Sequence, residues 1–416
     1  MRFPEFEGVW KQEELDGIAS KIQDGTHFSP KLLEEGKYLY ITSKNVKNGY
    51  IDLTDSSYVS YEDHKNIYKR CDTKKGDVLL TKDGTIGQAS INTINEEISL
   101  LSSVAFIRSN DKNSNEFICQ LLLSPTGQKE IKNSIAGQAL KRITLTKIKN
   151  FRYYFPTLPE QQKIASFFTA IDQKISQLKR KKNLLEQYKK GVMQKLFSQQ
   201  IRFKDNKKQE YPKWEQKKFG DIYSFRNTNS FSRENLNYEK GDVKNIHYGD
   251  IHTKFNTLFD ITKEDLPYIN EDLPVYKISA ENYCKAGDLV FADASEDLTD
   301  VGKSIELVNL NNERVLSGLH TILARPDLSK IAIGFGGYLM KSNDIRKQIM
   351  LEAQGSKVSS ISATKLSCIQ LNIPVQEEQT RITNFLSAID DKINHTQKQI
   401  EKTELWKMSL LQKMFI

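Results

Sequence analysis

The sequence predicts an α+β protein that is built twice, with two globular units joined by two long helices packed as an antiparallel coiled coil. One observation is an internal repeat without gaps, in which Pro156 to Phe197 returns as Pro374 to Phe415. A second is a heptad pattern inside both copies, and a third is a looser likeness between the segments that precede them. A repeat of this length indicates a duplicated architecture, which we expect to have pseudo-two-fold symmetry.

The repeat itself has the pattern of a coiled-coil helix. Apolar residues recur at alternating steps of four and three, which places them on one stripe of a helix. A helix of about 40 residues is roughly 60 Å long at 1.5 Å per residue. The predicted seam consists of Ile164, Phe168, Ile171, Ile175, Leu178 and Leu185 in the first copy, and Ile382, Leu386, Ile389, Ile393, Ile400 and Leu410 in the second.

Polar residues interrupt this seam at Lys182, Lys189, Thr396, Thr403 and Lys407. Such residues weaken a coiled coil but fix its register and its partner. The alternative is that each helix packs only on its own domain. Because one chain carries two copies, we favour pairing between them. If the pairing is antiparallel, each helix carries a globular unit at its entry end, and helix length fixes the separation of the units.

The segments before the helices share a frame but differ in sequence and length. Gly76-Asp77 matches Gly287-Asp288 at a strand start, and Trp10 matches Trp214. Short strands are predicted from 38 to 41, 78 to 80, 86 to 91 and 104 to 107, and helices from 116 to 131 and 331 to 351. The predicted organisation is a first globular unit (1–155), a helix (156–198), a polar linker (199–213), a second globular unit (214–373) and a second helix (374–416).

Composition sets limits on the class of protein. A chain of 416 residues should hold two or more domains, and a net charge of +8 suits an anionic partner. Four scattered cysteines indicate a reducing compartment and small buried side chains rather than a zinc site. No leader peptide and no membrane-spanning run is expected, so we expect a cytoplasmic protein.

The sequence contains no complete motif for catalysis, nucleotide binding or metal binding. The stretch Asp300 to Ser304 ends like a phosphate-binding loop, but Asp297 stands where the motif needs glycine. The glycines from Gly334 to Gly337 lack the strand, helix and acidic residue of a dinucleotide or methyl-donor site, so a loop into a helix is favoured. His247 and His252 make only a weak metal hypothesis. We therefore predict no catalytic set, no metal and no cofactor in this chain.

Small polar and basic residues lie instead where the predicted strands end. Loops on a constant frame commonly carry variable binding residues. Lys and Arg contact phosphates and guanine, while Asn, Gln and Asp can read other base edges. Each residue alone is more commonly a solvated surface group. The candidate DNA contacts are Thr26, His27, Ser43, Lys44, Asn45, Thr81, Lys82, Thr85, Gln138, Lys141 and Arg142 in the first unit, and Tyr248, Asp250, His252 and Lys357 in the second.

The chain resembles the specificity subunit of a Type I restriction-modification system over nearly its whole length. The resemblance is carried by Leu158 to Gln162 at the entry of the first long helix, by Ala170-Ile171-Asp172 and Ala388-Ile389-Asp390, and by the exit from Gly191 to Phe197. The second copy departs from the first where Glu377 replaces Pro159.

The resemblance implies two target-recognition domains, each reading one half of a split double-stranded DNA sequence, and two helices that act as a spacer. It also implies methyltransferase subunits, two of them, docked on this frame, and a motor-nuclease (restriction) subunit recruited by the assembly. The methyl donor and ATP would belong to those partners. Two other interpretations stay open: a solitary two-headed DNA-binding regulator, and a nuclease or methyltransferase with an unrecognised site.

Overall fold

The computed structural model describes residues 1–136, 141–355 and 357–415, and divides the chain into two compact units. The first unit comprises Met1–Lys181 and Thr396–Ile416, and the second comprises Lys182–His395. Each unit thus contains one globular region, the beginning of one long helix and the end of the other. In the described part of the chain, no helix is long and apolar enough to cross a membrane.

The first unit is built from short strands and helices around an antiparallel sheet with the order β2-β10-β7-β8. A smaller sheet, β6-β3-β9, and the pairs β1-β11 and β4-β5 complete it. Its strands are β1 (Lys11–Glu14), β2 (Ala19–Asp24), β3 (Tyr38–Ile41), β4 (Val46–Lys47), β5 (Tyr50–Ile51), β6 (Ser57–Val59), β7 (Val78–Thr81), β8 (Ala89–Ile91), β9 (Ser99–Leu100), β10 (Val104–Ser109) and β11 (Arg152–Phe155). Its short helices are α1 (Leu15–Ile18), α2 (Tyr61–Arg70), α3 (Asn115–Leu123), α4 (Pro125–Ser134) and α5 (Leu145–Lys149).

The second unit repeats this plan with a sheet of order β13-β22-β18-β20-β16 and a second sheet of order β14-β17-β15-β21. The pairs β12-β24 and β19-β23 complete it. Its strands are β12 (Glu215–Lys218), β13 (Tyr223–Arg226), β14 (Leu236–Asn237), β15 (Lys244–Ile246), β16 (Leu258–Asp260), β17 (Tyr268–Ile269), β18 (Leu289–Ala292), β19 (Ala294–Ser295), β20 (Ser304–Asn309), β21 (Val315–Ser317), β22 (Thr321–Pro326), β23 (Ser359–Ser360) and β24 (Gln370–Ile373). The long helix that enters this unit from the first is α6 (Leu158–Phe197), and the remaining helices are α7 (Tyr248–Thr253), α8 (Phe335–Leu339), α9 (Asn343–Glu352), α10 (Ala363–Ser367) and α11 (Gln376–Met414). Four short 3-10 helices span Phe219–Asp221, Arg233–Asn235, Val275–Lys277 and Ala280–Asn282.

Several predicted element boundaries were wrong for local reasons. The predicted strand from 86 to 91 begins only at Ala89, because Gly87 has a positive φ of 89° in the preceding turn. The predicted helix from 116 to 131 is broken between α3 and α4. Ser124 ends α3, and its hydroxyl accepts a hydrogen bond from the Gly127 N–H at the start of α4, where Pro125 is the first residue. The predicted helix from 331 to 351 is likewise two helices, α8 and α9.

The helices and strands of both units agree with the predicted α+β class. The long helices pack antiparallel within each unit, which agrees with the predicted coiled coil. In the first unit, Phe168 contacts Phe415, Lys407 donates to Asp172 at 2.6 Å, and Lys179 pairs with Glu404 at 2.7 Å. In these contacts, higher residue numbers in α6 go with lower residue numbers in α11, so the two helices run in opposite directions. In the second unit, Lys189 donates to Asp390 at 2.5 Å. Lys189 and Lys407 occupy the same position of the two copies, so the polar seam residues hold one register.

Most predicted seam residues are buried. Leu185 and Ile393 are half-buried, and the other ten are largely shielded from solvent. Each unit has its own apolar core, which the long helices help to close. Ile164, Phe168 and Ile171 join the first core with Leu410, whereas Ile382, Leu386 and Ile389 join the second with Leu196. Leu178 and Ile400, near the middle of the helices, are buried but belong to neither core.

A buried glutamate at the start of each long helix is clasped by an arginine and a tryptophan. In the first unit, Arg2 donates two hydrogen bonds of 2.7 Å to the Glu160 carboxylate, and the Trp10 indole N–H donates a third at 3.3 Å. The second unit repeats the arrangement with Arg202, Trp214 and Glu378. Arg202 lies within the segment predicted as a linker, so part of that polar stretch is anchored to α11.

The glycines from Gly334 to Gly337 serve to build a helix start around a buried carboxylate. Gly334 has a φ of 91°, and a Cβ on it would lie 2.6 Å from Thr383. The Glu306 carboxylate accepts hydrogen bonds from the N–H groups of Gly334 at 2.5 Å and Gly337 at 2.6 Å. These groups are therefore occupied, as expected for a loop into a helix. Burial raises the pKa of Glu306 to about 7, although both hydrogen bonds oppose that rise.

The raised pKa of Glu306 predicts a pH-dependent stability of the second unit. In the folded protein the Glu306 carboxyl keeps its proton up to about pH 7, whereas in the unfolded chain it loses this proton near pH 4.5. The free energy of unfolding should therefore fall as pH rises from 4.5 to 7 and then level off, with a total change of about 3 kcal/mol at 1.36 kcal/mol per pKa unit. Glu306→Gln should remove this part of the pH profile in denaturant titrations, and Glu296→Gln, at an exposed position, is the matched control. A profile unchanged by Glu306→Gln would contradict the assignment.

Candidate nucleic-acid interface

The loops predicted to bind DNA in the first unit come together at one end of its sheets. The Thr85 hydroxyl donates to the Ser43 carbonyl at 3.0 Å, which joins the loop after β3 to the loop after β7. The backbone of Arg142 pairs with that of Asp83 in a short β-bridge. Residues that are far apart in the sequence thus form one polar surface. The sequence predicted the loops but not their positions relative to one another.

A buried carboxylate lies at the centre of the basic side chains of this surface. Asp24, at the end of β2, is 3% exposed. Its oxygens lie 3.3 Å from His27 Nε2, 3.4 Å from Lys82 Nζ and 2.6 Å from the Arg70 guanidinium. Arg70 ends α2, and half of its side chain stays exposed. Sequence reasoning missed Arg70, because a basic residue in the last turn of a helix is common and nothing nearby in the chain marks its partner.

The predicted contacts of the first unit differ in how they face solvent. His27, Lys44, Thr85, Lys141 and Arg142 are exposed, and Ser43 is half-buried. Thr26, Asn45, Thr81 and Lys82 are buried. The Asn45 side chain accepts from the Thr42 N–H at 3.0 Å and donates to the Asp52 carbonyl at 3.1 Å. The side chains of these buried four thus have partners within the protein and are shielded from solvent. Gln138 lies outside the described residues.

In the second unit, a carboxylate hub again lies beneath cations, but at a different position. Asp250 is 1% exposed and accepts from both terminal nitrogens of Arg233 at 2.9 and 3.0 Å, and Lys254 lies 3.1 Å away. Burial disfavours its charged form, yet the hydrogen bonds from Arg233 and Lys254 prevail and lower the pKa of Asp250. Asp250 therefore holds Arg233 in place, rather than presenting its own oxygens to solvent. Arg233 was not predicted from the sequence.

An aromatic cluster surrounds this second hub. Tyr248 is half-buried, and its ring centroid lies 4.6 Å from that of His247 and 5.4 Å from that of His320. His252 is half-buried, with Nε2 3.2 Å from the Ala294 carbonyl. Lys357 is exposed.

The weak metal hypothesis gains no support from this geometry. His247 Nδ1 accepts a hydrogen bond from the Gly249 N–H at 3.1 Å, and Asp250 is held by Arg233. Among the residues described, no three His, Cys, Asp or Glu side chains are grouped to hold a metal ion. Lys303 is the lysine of the stretch that ends like a phosphate-binding loop, and its amine donates a hydrogen bond to the His252 carbonyl at 2.8 Å.

The exposed cations of the first unit predict a salt-dependent loss of DNA affinity. We expect Lys141→Ala and Arg142→Ala each to reduce the magnitude of the negative slope of log affinity against log salt by about one unit, since each would remove a phosphate contact. Lys82→Ala should change the slope less, because its amine is buried and faces Asp24. Lys112→Ala, an exposed lysine beyond the other end of β10, is the control for fluorescence-anisotropy titrations. Slopes that stay the same for all three variants would remove these residues from the interface.

Comparison with known proteins shows which family has this duplicated architecture. The sequence matches the profile of the Type I restriction modification DNA specificity domain twice, at residues 8–187 and 211–404. It is 24% identical over 413 residues to the putative type I restriction enzyme MjaX specificity subunit of Methanocaldococcus jannaschii, covering 97% of this chain and 92% of that protein. It is also 20% identical over 398 residues to the MjaIX specificity subunit of the same organism, covering 93% and 84%.

Two solved structures share the fold. One is the S subunit of the Type-I restriction-modification system from M. genitalium, with a TM-score of 0.59 and 16% identity over 100% of this chain and 99% of that one. The other is a chain from a study of complex assembly and conformational transition of the type I R-M system, with a TM-score of 0.55 and 13% identity over 98% of both chains. Because the matched domain occurs twice and spans most of the sequence, the chain belongs to the family of the type I restriction–modification DNA specificity domain.

Proposed function

We propose that this chain is the DNA-recognition subunit of a type I restriction–modification complex, and that each unit reads one half of a split target. The observation that carries the proposal is one scaffold used twice with different polar surfaces. In the first unit the surface is formed by cations around Asp24, and in the second by aromatic rings and Arg233 around Asp250. Two surfaces of different chemistry on the same frame suit two different base sequences.

We further propose that the chain is not itself an enzyme, and that it works in the cytoplasm of a prokaryote with methyltransferase and restriction subunits. The partners would supply the methyl donor, ATP and the catalytic groups. The occupied N–H groups of Gly334 and Gly337 support this division, because they leave no free phosphate cradle in that loop. The long helices would provide the frame on which two methyltransferase subunits dock.

A methylation map tests the proposal. The chain is expressed with the methyltransferase subunit of its own system in cells without other DNA methylation, and modified bases are located by single-molecule sequencing. We expect a split and asymmetric motif that disappears when this chain is omitted. Modification that persists without the chain, or a continuous motif, would contradict the proposal.

The second candidate function is a solitary two-headed DNA-binding regulator, favoured by the cationic surface alone. Purification separates the two. Co-elution with a methyltransferase subunit supports the recognition subunit, whereas tight sequence-specific binding by the lone chain, with no effect of the subunit, supports the regulator. Turnover of DNA by the chain without partners would instead indicate an enzyme.

A further inference from the structure

Main-chain hydrogen bonds define a pair of positions at the edge of the DNA-facing surface of the first unit. The N–H of Lys82, just after β7, donates to the Ser103 carbonyl at 2.9 Å. The Lys82 carbonyl in turn accepts from the Ile143 N–H at 2.9 Å. These bonds involve no side chain, so they hold the backbone whatever residue stands there.

The second unit makes the same bonds with different residues. The N–H of Asp293, just after β18, donates to the His320 carbonyl at 3.1 Å, and the Asp293 carbonyl accepts from the Ile361 N–H at 2.9 Å. Asp293 is therefore the structural equivalent of Lys82, and His320 is the equivalent of Ser103. The charge at the first position is reversed between the units.

The side chains at these positions also differ in direction. In the first unit they turn inward: Lys82 is buried towards Asp24, and the Ser103 hydroxyl accepts from the Ser43 N–H at 3.1 Å. In the second unit they are less buried: 53% of the His320 side chain is exposed, and Asp293 is half-buried with 29% of its side chain exposed.

The second pair is held in a defined arrangement. His320 Nδ1 lies 3.4 Å from Asp293 Oδ1, and the ring meets the Tyr248 ring nearly edge-on, at 77°. His320 has a φ of 54°, a left-handed conformation that a histidine adopts at an energetic cost. Residues in such conformations cluster at binding sites, where the surroundings hold them.

We propose that Asp293 and His320 form the base-reading pair of the second unit, and that they accept a hydrogen bond from an exocyclic amino group in the major groove, N6 of adenine or N4 of cytosine. This rests on the proposed function. A carboxylate repels phosphate, so an anion on this surface suits a base donor instead. In the imidazole tautomer that carries its proton on Nδ1, beside Asp293, the Nε2 lone pair is left as an acceptor on the other side of the ring. Among the described residues, no hydrogen bond to Nε2 is found.

The test removes the amino group from the DNA and the acceptors from the protein. Binding of the full chain with its methyltransferase subunit is measured on duplexes in which one adenine of the second half-site is replaced by purine, or one cytosine by 2-pyrimidinone. For the wild type, one of these replacements should weaken binding about tenfold. The same replacement should cost less than about twofold in His320→Gly and Asp293→Ala, since neither glycine nor alanine offers a side-chain acceptor and the lost bond is already absent.

The variants are chosen to keep the fold. Glycine tolerates the left-handed φ of His320, and alanine at position 293 leaves the main-chain hydrogen bonds in place. Melting temperatures equal to that of the wild type establish this, and His320→Ala is a second variant without an acceptor. His395→Gln, at an exposed position of α11, should leave all the duplex preferences as they are.

The outcomes separate this inference from the proposed function. A split motif in the wild type, with the amino-group penalty lost only in the Asp293 and His320 variants, supports the pair. A split motif with the same penalties in the wild type and the variants overturns the pair alone. A wild type without a split motif overturns the proposed function and this inference with it.

Discussion

Exchanging residues 1–150 for those of a relative should replace one half of the methylated motif and leave the other half unchanged. The two apolar cores share no residue, and each unit has its own carboxylate hub, Asp24 or Asp250. The identity of the first unit should therefore determine only the half-site that this unit reads. The effect should be complete, because a foreign half-site typically costs about 1–3 kcal/mol at each mismatched base pair.

The exchange needs a relative that keeps the contacts of the unit with its helices. Phe117 packs against Phe415, and Arg2 and Trp10 hold Glu160, so these residues should be retained. The reciprocal exchange of residues 214–373 is the matched control and should replace the other half of the motif. If either exchange alters both halves in a methylation map, the units do not read independently.

Removing one heptad from both long helices should shorten the preferred gap between the half-sites by about three base pairs, since seven residues span roughly 10 Å. The deletion takes out Leu178–Leu184 and Thr396–Lys402, which keeps the heptad phase. The buried residues that the deletion removes include Leu178 and Ile400. Because these two lie outside both cores, we expect both units to stay folded. This expectation rests on the spacer role predicted from the sequence.

A binding selection on duplexes that keep both half-sites and vary only the gap measures this shift. Affinity should also fall, because three base pairs rotate one half-site by a quarter turn or more in a helix of about 10 base pairs per turn. Deleting the heptad from α6 alone is the control, since it should misalign Lys189 with Asp390 and lower the melting temperature. An optimum that stays at the wild-type gap in a folded protein would show that the helices do not set the spacing.

The large-scale fold followed from the sequence because its signals are periodic or repeated. The gap-free repeat and the heptads predicted α6 and α11 and their packing against each other. Boundaries failed where one residue decides the backbone, as Pro125 does between α3 and α4. Three cysteines are buried as predicted, whereas Cys368 is exposed.

The sequence predicted which loops carry the candidate residues, but not the direction in which each side chain points. Asn45, Thr81 and Asp250 were predicted as polar loop residues, but Thr81 ends β7 and Asp250 lies in α7. Nothing in their local sequence distinguishes a side chain that faces solvent from one that is buried among protein groups. Arg70 and Arg233 were missed because their partners, Asp24 and Asp250, are 46 and 17 residues away. His320 was missed because its equivalence with Ser103 is defined by main-chain bonds, and the two surrounding sequences differ.

The side-chain-independent attachment of Lys82 and Asp293 has a consequence for how recognition can change. At both positions the backbone is held by its own N–H and carbonyl groups, so a substitution by any residue other than proline keeps these main-chain bonds. At position 293, where part of the side chain is exposed, one substitution would change the charge of the proposed base-reading pair while those bonds persist. New sequence preferences would then be accessible by point mutation without loss of the fold.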